Sequence, residues 1–318
     1  MGRRIAAALA TKLDLRPPIL QAGRLVLSTA SKIAIARALY RMVRIARRPF
    51  GGQDLVVVRR HGIVWHLDLR EGIDLTIYLA GAFERDTLRS LESLVRPGAT
   101  VLDVGANVGA HTLHLARLVG EGGRVLAFEP TDFAVDKLRT NLRANPALEK
   151  RVTVHQVFLV AEPGAPVRAT VSSSWPVDGT RPDDAQMGSR AMGVGGAIAT
   201  TLDDVLEAAG RPTIQLIKMD VDGHELEVLK GARRLLSASA PPIVMELAPY
   251  VFNPPEKFDE LVALLLGLGY TFLRFGSSRP LPRDSRALRV RIPHEGSINV
   301  LAAPSSRSLG GRSFGHRK

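Results

Sequence analysis

Between residues 99 and 303, short apolar runs alternate with stretches of helical period. The runs at 100–104, 124–128, 152–159, 214–219, 242–246, 271–275 and 297–302 are five to eight residues long, which predicts buried strands. Helical spacing fits 110–119, 132–144, 224–237 and 256–268 between them. Alternation of this kind predicts an α/β domain, a mostly parallel sheet with helices on both faces. The last two runs are close in sequence, with a basic, Pro-containing loop between them, and suit an antiparallel hairpin at one edge.

Upstream, β-rich segments 55–58 and 63–69 flank His61-Gly62 and predict a hairpin. Residues 31–48 read as an amphipathic helix. Ile35, Leu39, Met42 and Ala46 fall on one face, and Arg37, Arg41, Arg44 and Arg48 on the other. That face can pack on the body of the protein or lie on an anionic membrane. Residues 161–199 break the alternation with a Gly, Pro, Ser and Ala-rich stretch, expected to be a lid over a substrate. The predicted organisation is a basic helical arm (1–52), a hairpin and helical lead-in (53–98), a main domain (99–303) and a disordered basic tail (304–318).

Charge sharpens this division. The formal net charge is +12, yet residues 1–50 hold eleven Lys or Arg and one acid, Asp14, so the remaining 268 residues are close to neutral. A nucleic-acid enzyme more often spreads positive charge along its substrate groove, so nucleic acid is disfavoured as the acceptor. The 318-residue chain has no cysteine, which excludes disulfides, thiolate nucleophiles and cysteine-ligated metals. Lys12 and Asp14 interrupt the early apolar stretch, which argues against a secretory signal. The longest run free of Asp, Glu, Lys and Arg is thirteen residues, 261–273, too short to span a bilayer. The expected location is the cytoplasm, with peripheral membrane contact through residues 31–48 as the second possibility.

The strongest local chemistry is Val101-Leu102-Asp103-Val104-Gly105-Ala106-Asn107-Val108-Gly109, a buried strand running into a glycine turn and a helix. Such a turn brings backbone close to a nucleotide-like ligand. Asn107 stands where a dinucleotide fingerprint has its second glycine, and a side chain there obstructs a pyrophosphate. Glu129 ends the next strand, where an acid can accept both hydroxyls of a ribose. S-adenosylmethionine offers an amino-acid end, a sulfonium and a ribose diol without phosphate. Asp103, the GxNxG turn (Gly105, Asn107, Gly109) and Glu129 match those groups in order.

Acids also end two further strands, Asp220 and Glu246, so four carboxylates line one rim of the sheet. The segment Lys218-Met219-Asp220-Val221-Asp222-Gly223-His224-Glu225 is the densest in chemistry. Lys218 and Asp220 point to the same side, and Glu225 sits in a first helical turn where the dipole favours an acid. His111 and His114 lack a third ligand and are expected on a solvated helix face; no metal site is predicted.

With these residues assembled, the sequence resembles the FkbM family of S-adenosylmethionine-dependent methyltransferases. The resemblance rests on the block 101–109, Phe128-Glu129-Pro130, Thr201-Leu202-Asp203-Asp204, the block 218–231 and Met245-Glu246-Leu247. Gly81-Ala82-Phe83-Glu84 resembles the family's lead-in, which adds Glu84 to the cofactor set. Asp222 departs from the Glu usual before the glycine. The resemblance implies a class I methyltransferase fold, a Rossmann-like seven-stranded sheet with one antiparallel strand in its last pair. It also implies S-adenosylmethionine as cofactor and O-methylation of a hydroxyl on a sugar, glycolipid or secondary metabolite. Asp103, Gly105, Asn107, Gly109, Glu129, Glu84 and Asp220 are the expected cofactor residues. Asp220, Glu246, Lys218 and His224 are the candidates for the base. The alternatives are an RNA or protein methyltransferase recruited by the arm, a catalytically silent membrane-associated scaffold, and a nicotinamide oxidoreductase, which Asn107 disfavours.

Overall fold

The computed structural model describes residues 19–21, 24–26, 29–180, 183, 188–276, 279–293 and 296–305. Residues 1–18 of the arm and 306–318 of the tail lie outside them. Seven strands form the central sheet: β1 (Thr100–Val104), β2 (Arg124–Phe128), β3 (Val152–His155), β4 (Ile214–Met219), β5 (Ile243–Leu247), β6 (Tyr270–Arg274) and β7 (Ile298–Pro304). Their order is β6-β7-β5-β4-β1-β2-β3. Strands β1 to β5 are parallel, and β7 runs antiparallel between β5 and β6. This is the class I methyltransferase sheet. The central strands are buried along nearly their whole length, as expected when helices cover both faces.

The order in which strands are added reverses at β1, with β2 and β3 on one side and β4 and β5 on the other. Ligands in such sheets bind at that switch, beyond the carboxyl ends of the strands. Asp103, Glu129, Asp220 and Glu246 all sit at or just past those ends.

Three expectations are corrected. The run 152–159 is broken at Gln156: Val152–His155 joins the sheet, and Val157–Leu159 pairs instead with Ile198–Thr200. The helix expected over 224–237 is two helices, Glu225–Lys230 and Arg233–Ala238, separated at Gly231-Ala232. The segment 161–199 is no bare loop: Thr170–Ser174 and Arg190–Gly193 form an antiparallel pair within it.

The hairpin Leu55–Arg60/Ile63–Asp68 packs its Ile63, Trp65 and Leu67 face into the core. The free edge of its second strand is capped by side chains of the helix Asp132–Arg143 and the residues after it. Asn141 Oδ1 accepts from His66 N (2.8 Å), and Asn145 Oδ1 accepts from Val64 N (2.9 Å) while its amide donates to Val64 O (2.7 Å). These bonds satisfy an edge that would otherwise be open to pairing.

The arm's helix spans Thr29–Arg47. Its packed side is not the one the apolar spacing picked out. Ala36, Tyr40 and Val43 pack on the body, whereas Leu39 and Met42 face outward. Tyr40 decides the orientation: it is buried, and its hydroxyl donates to Asp54 (3.1 Å). No helix among the described residues is long and apolar enough to cross a membrane.

Candidate active site

A cavity of about 680 Å³ opens at the carboxyl end of the sheet. Gly105, Ala106 and Asn107 form part of its floor, Glu129 and Pro130 one flank, and Asp220, Asp222 and Glu246 the other. The arm helix contributes Lys32, Ile33 and Ala36, and the insertion contributes Ser172 and Trp175, so both expected appendages form walls.

The glycine turn is packed against β4. Gly105 has φ +79°, and a Cβ there would stand 1.8 Å from Asp220 O, so only glycine fits. Gly105 N and Ala106 N both donate to Phe128 O (3.0 Å), which ties the turn to β2. Asn107 takes the left-handed conformation with φ +47°, which Asn tolerates better than most residues. Gly109 N donates to Ala106 O (2.9 Å) and closes the turn into the helix Thr112–Val119.

Glu129 is buried and lines the cavity. Its Oε2 accepts from Asn107 N (2.9 Å), and its Oε1 accepts from Thr131 N (3.0 Å) and Thr131 Oγ1 (2.7 Å). Burial raises its pKa, although these three donors oppose the shift. A carboxylate offers about four lone-pair sites, so three donors leave little spare capacity. The Thr131 hydroxyl has a second partner, Ser173 Oγ at 2.9 Å, and can turn toward it. A ribose diol then has two sites to donate to, and the cradle fits the nucleoside of S-adenosylmethionine.

Asp103 does not line the cavity. It is fully buried beneath the turn, where Thr112 Oγ1 donates to its Oδ2 (2.7 Å) and Lys218 Nζ lies 3.5 Å from its Oδ1. Lys218 does reach the cavity, donates to Gly105 O (3.2 Å) and stands 3.9 Å from Asp220 Oδ2. Burial alone would lower the pKa of this ammonium, but Asp103, Asp220 and Glu84 hold it above the ordinary value. A lysine so paired keeps its proton.

The remaining acids converge on the same space. Glu84 has φ +46° and lines the cavity. Burial, then Asp220, raises its pKa. Glu246 accepts a short hydrogen bond from the Ser297 hydroxyl. Burial, reinforced by Asp220, pushes it up to about 8. Burial and its carboxylate neighbours also push Asp222 well above the carboxylate range. Glu225 lies behind the wall as the anchor of the turn before its helix, accepting from Val221 N (3.3 Å) and Gly223 N (3.4 Å). His224 lines the cavity, but one ring nitrogen is held 2.8 Å from Leu159 O. Among the described residues no group of three or more His, Asp or Glu is arranged to hold a metal.

His111 and His114 are buried, not solvated. His114 packs near Trp65 and His61, and burial lowers its pKa to about 4. His111 lines the cavity edge-on to Phe83, with Nε2 3.6 Å from Glu84 Oε2. Burial, with Lys218 and His114 adding to it, holds its pKa well below the usual value. The sequence signal for His111 was its place just past the glycine turn. Glu71 and Ser173, which fasten the insertion over the turn, carried no such signal.

The FkbM methyltransferase domain matches residues 103–272, more than half of the 318-residue chain. The chain is 30% identical over 159 residues to the hexuronic acid methyltransferase AglP of Haloferax volcanii, spanning 49% of this chain and 59% of that relative. It is 30% identical over 203 residues to the 31-O-demethyl-FK506 methyltransferase FkbM of Streptomyces tacrolimicus, spanning 56% and 74%. A crystal structure of the methyltransferase FkbM from Methylobacillus flagellatus aligns with a TM-score of 0.41 at 16% identity, covering 94% of this chain and 70% of that one. The chain belongs to the FkbM methyltransferase family.

Proposed function

We propose that the enzyme methylates a hydroxyl oxygen of a sugar, glycolipid or other small molecule. The observation that carries this reading is the set of four carboxylates, Glu84, Asp220, Asp222 and Glu246, lining one cavity. Carboxyl groups exchange hydrogen bonds with hydroxyls whether protonated or ionised, and those that stay ionised repel phosphate, so the set favours a polyol over RNA. A relative named for a 31-O-demethyl compound supports an oxygen acceptor, and one named for a hexuronic acid supports a sugar-type acceptor.

S-adenosylmethionine bound in the cavity supplies a methyl group already activated by a sulfonium. Glu129, with the Thr131 and Ser173 hydroxyls beside it, would hold the ribose diol. Glu84 would take the ammonium of the amino-acid end, and His111, beside it on the cavity wall, would donate to the carboxylate. The acidic lining balances the cationic donor, and Lys218 keeps Asp103 and Asp220 fixed. What remains for the protein is alignment of the acceptor oxygen with the methyl carbon. Glu246 accepts the hydroxyl proton: it borders the cavity, and its raised pKa makes its ionised form a stronger base than an ordinary carboxylate. Lys218 is occupied by its ion pairs and His224 by Leu159, which leaves Asp220 to orient the hydroxyl.

Transfer of labelled methyl from the donor into a fractionated cell extract tests the reading. Alkali-stable label in the glycan, lipid or small-molecule pool is expected, lost with Glu246→Gln. Label confined to RNA or protein, or released by mild alkali as a methyl ester, would overturn it.

A further inference from the structure

The arm helix Thr29–Arg47 has two faces with different surroundings. Toward the protein, Ile33 meets Gly188 of the insertion, Ala36, Tyr40 and Val43 join the core, and Arg47 donates to the Tyr78 hydroxyl (3.1 Å). Away from it, Met42 is 60% and Ile45 72% exposed, and Phe50, in the turn that ends the helix, is 88% exposed. Leu39 on the helix and Leu55 and Val57 on the following strand are exposed as well. Six of the ten large hydrophobic side chains exposed among the described residues therefore fall within residues 39–57. Single exposed apolar residues are ordinary, but such a concentration marks an interaction surface.

The charges in the same stretch select the partner. Arg41, Arg44, Arg48 and Arg59 are exposed around these side chains. The one acid, Asp54, is engaged by Tyr40. We propose that residues 39–57 dock the enzyme on an anionic lipid bilayer, with Met42, Ile45 and Phe50 entering the acyl boundary and the arginines meeting headgroup phosphates. An outward helix face of apolar residues bordered by arginine is the composition that interfacial helices use. RNA would use the arginines but gains nothing from Ile45 and Phe50. A second copy of the chain would bring the same arginines against each other, and like charges at a contact cost affinity. Because Lys32, Ile33 and Ala36 of this helix line the cavity, docking holds one cavity wall at the lipid surface. The docking surface stands whatever the acceptor proves to be.

Co-sedimentation of the full chain with phosphatidylcholine vesicles, with and without phosphatidylglycerol, tests the proposal. Binding to the anionic vesicles, weakened by salt, is expected. The triple variant Met42→Ser/Ile45→Ser/Phe50→Ser should lose at least about tenfold in vesicle partitioning. Its binding of S-adenosylhomocysteine by calorimetry should match wild type, which shows that it is folded. No vesicle binding by the wild type would overturn the proposal. So would undiminished binding by the triple variant, which would assign the effect to charge elsewhere. A wild-type dimer that the triple variant splits, without vesicle binding by either, would assign the face to a second copy.

Discussion

Asp103 and Lys218 are register partners on the neighbouring parallel strands β1 and β4, with Lys218 Nζ 3.5 Å from Asp103 Oδ1. Both side chains are buried. Burial raises the Asp103 pKa against the pull of Lys218, and Lys218 answers with a raised pKa of its own. The pair acts as a fixed strut beneath the glycine turn. Lys218→Met removes the counter-charge and leaves Asp103 and Asp220 facing each other. Breaking a buried pair in this way costs about 3–5 kcal/mol, measurable as a lowered urea midpoint. The double variant Asp103→Asn/Lys218→Met should recover much of the loss. Equal instability in the single and double variants would show that the pair is not the strut.

The Glu129 cradle separates cofactor affinity from stability. Glu129→Ala strands Asn107 N and Thr131 N, at a cost of about 1–3 kcal/mol for buried donors left unpaired. Glu129→Gln keeps an acceptor oxygen for at least one of them and should stay closer to wild type in stability. Both variants lose the carboxylate proposed to meet the ribose, so calorimetry with S-adenosylhomocysteine should show about a tenfold or larger loss, or 1.4 kcal/mol and more. Wild-type affinity in Glu129→Gln would remove this residue from the cofactor site.

Those strands were legible because burial on both faces writes an uninterrupted apolar run. The segments 100–104, 124–128 and 214–219 match the observed bounds, and Glu129 and Asp220, each one residue past its strand, line the cavity, whereas Asp103 is buried beneath it. Contacts made from outside an element were not legible. A Cβ on Gly231 would stand 2.2 Å from Val160 O, a close approach at the break between two helices that periodicity alone joins. His111 and His114 looked solvated because nothing local announces that Trp65 and Phe83 cover their helix. Of the two readings of the arm helix, packing of the Leu39 and Met42 face on the body fails for a related reason: the apolar spacing is real, but the buried Tyr40 and its bond to Asp54 turn the side with Ala36 and Val43 inward.

Stability and turnover should move in opposite directions with pH. His114, with its pKa lowered to about 4, and the other histidines held low by burial destabilise the fold only below about pH 6.5, where the unfolded chain takes up their protons. Glu246, pushed up to about 8, keeps a proton in the fold that the unfolded chain has already released. From pH 7 to 8.5 that proton is given up, and stability falls by about 1 kcal/mol. Over the same interval the ionised base accumulates, so kcat should rise. Glu246→Gln should flatten the melt profile and remove turnover, so that any residual initial rate no longer rises with pH. Wild-type pH dependence of the melt in that variant would mean that other carboxylates, Asp222 foremost, carry the titration.

Glu71 holds the insertion closed over the cofactor turn. Its Oε2 accepts from Ser174 Oγ (2.8 Å) and Trp175 N (3.1 Å), and its Oε1 accepts from Arg190 (2.8 Å). The neighbouring Ser173 then lies over the site, accepting from the Asn107 amide at its carbonyl (3.3 Å) and hydroxyl (3.4 Å). Glu71→Ala removes three acceptor contacts at once, while backbone bonds from Gly72 to Trp175 and from Val177 to Arg70 keep the segment nearby. Limited proteolysis should cut within residues 161–199 several-fold faster than in wild type. Bound S-adenosylhomocysteine should slow that cleavage less than it does in wild type. Ser174→Ala removes one of the three Glu71 contacts, together with the bonds from Arg190 to the same hydroxyl (3.0 and 3.3 Å), but leaves Glu71 joined to Trp175 N and Arg190, and should give an intermediate rate. Cleavage of Glu71→Ala at the wild-type rate would mean that the two strands of the insertion hold themselves in place without this carboxylate.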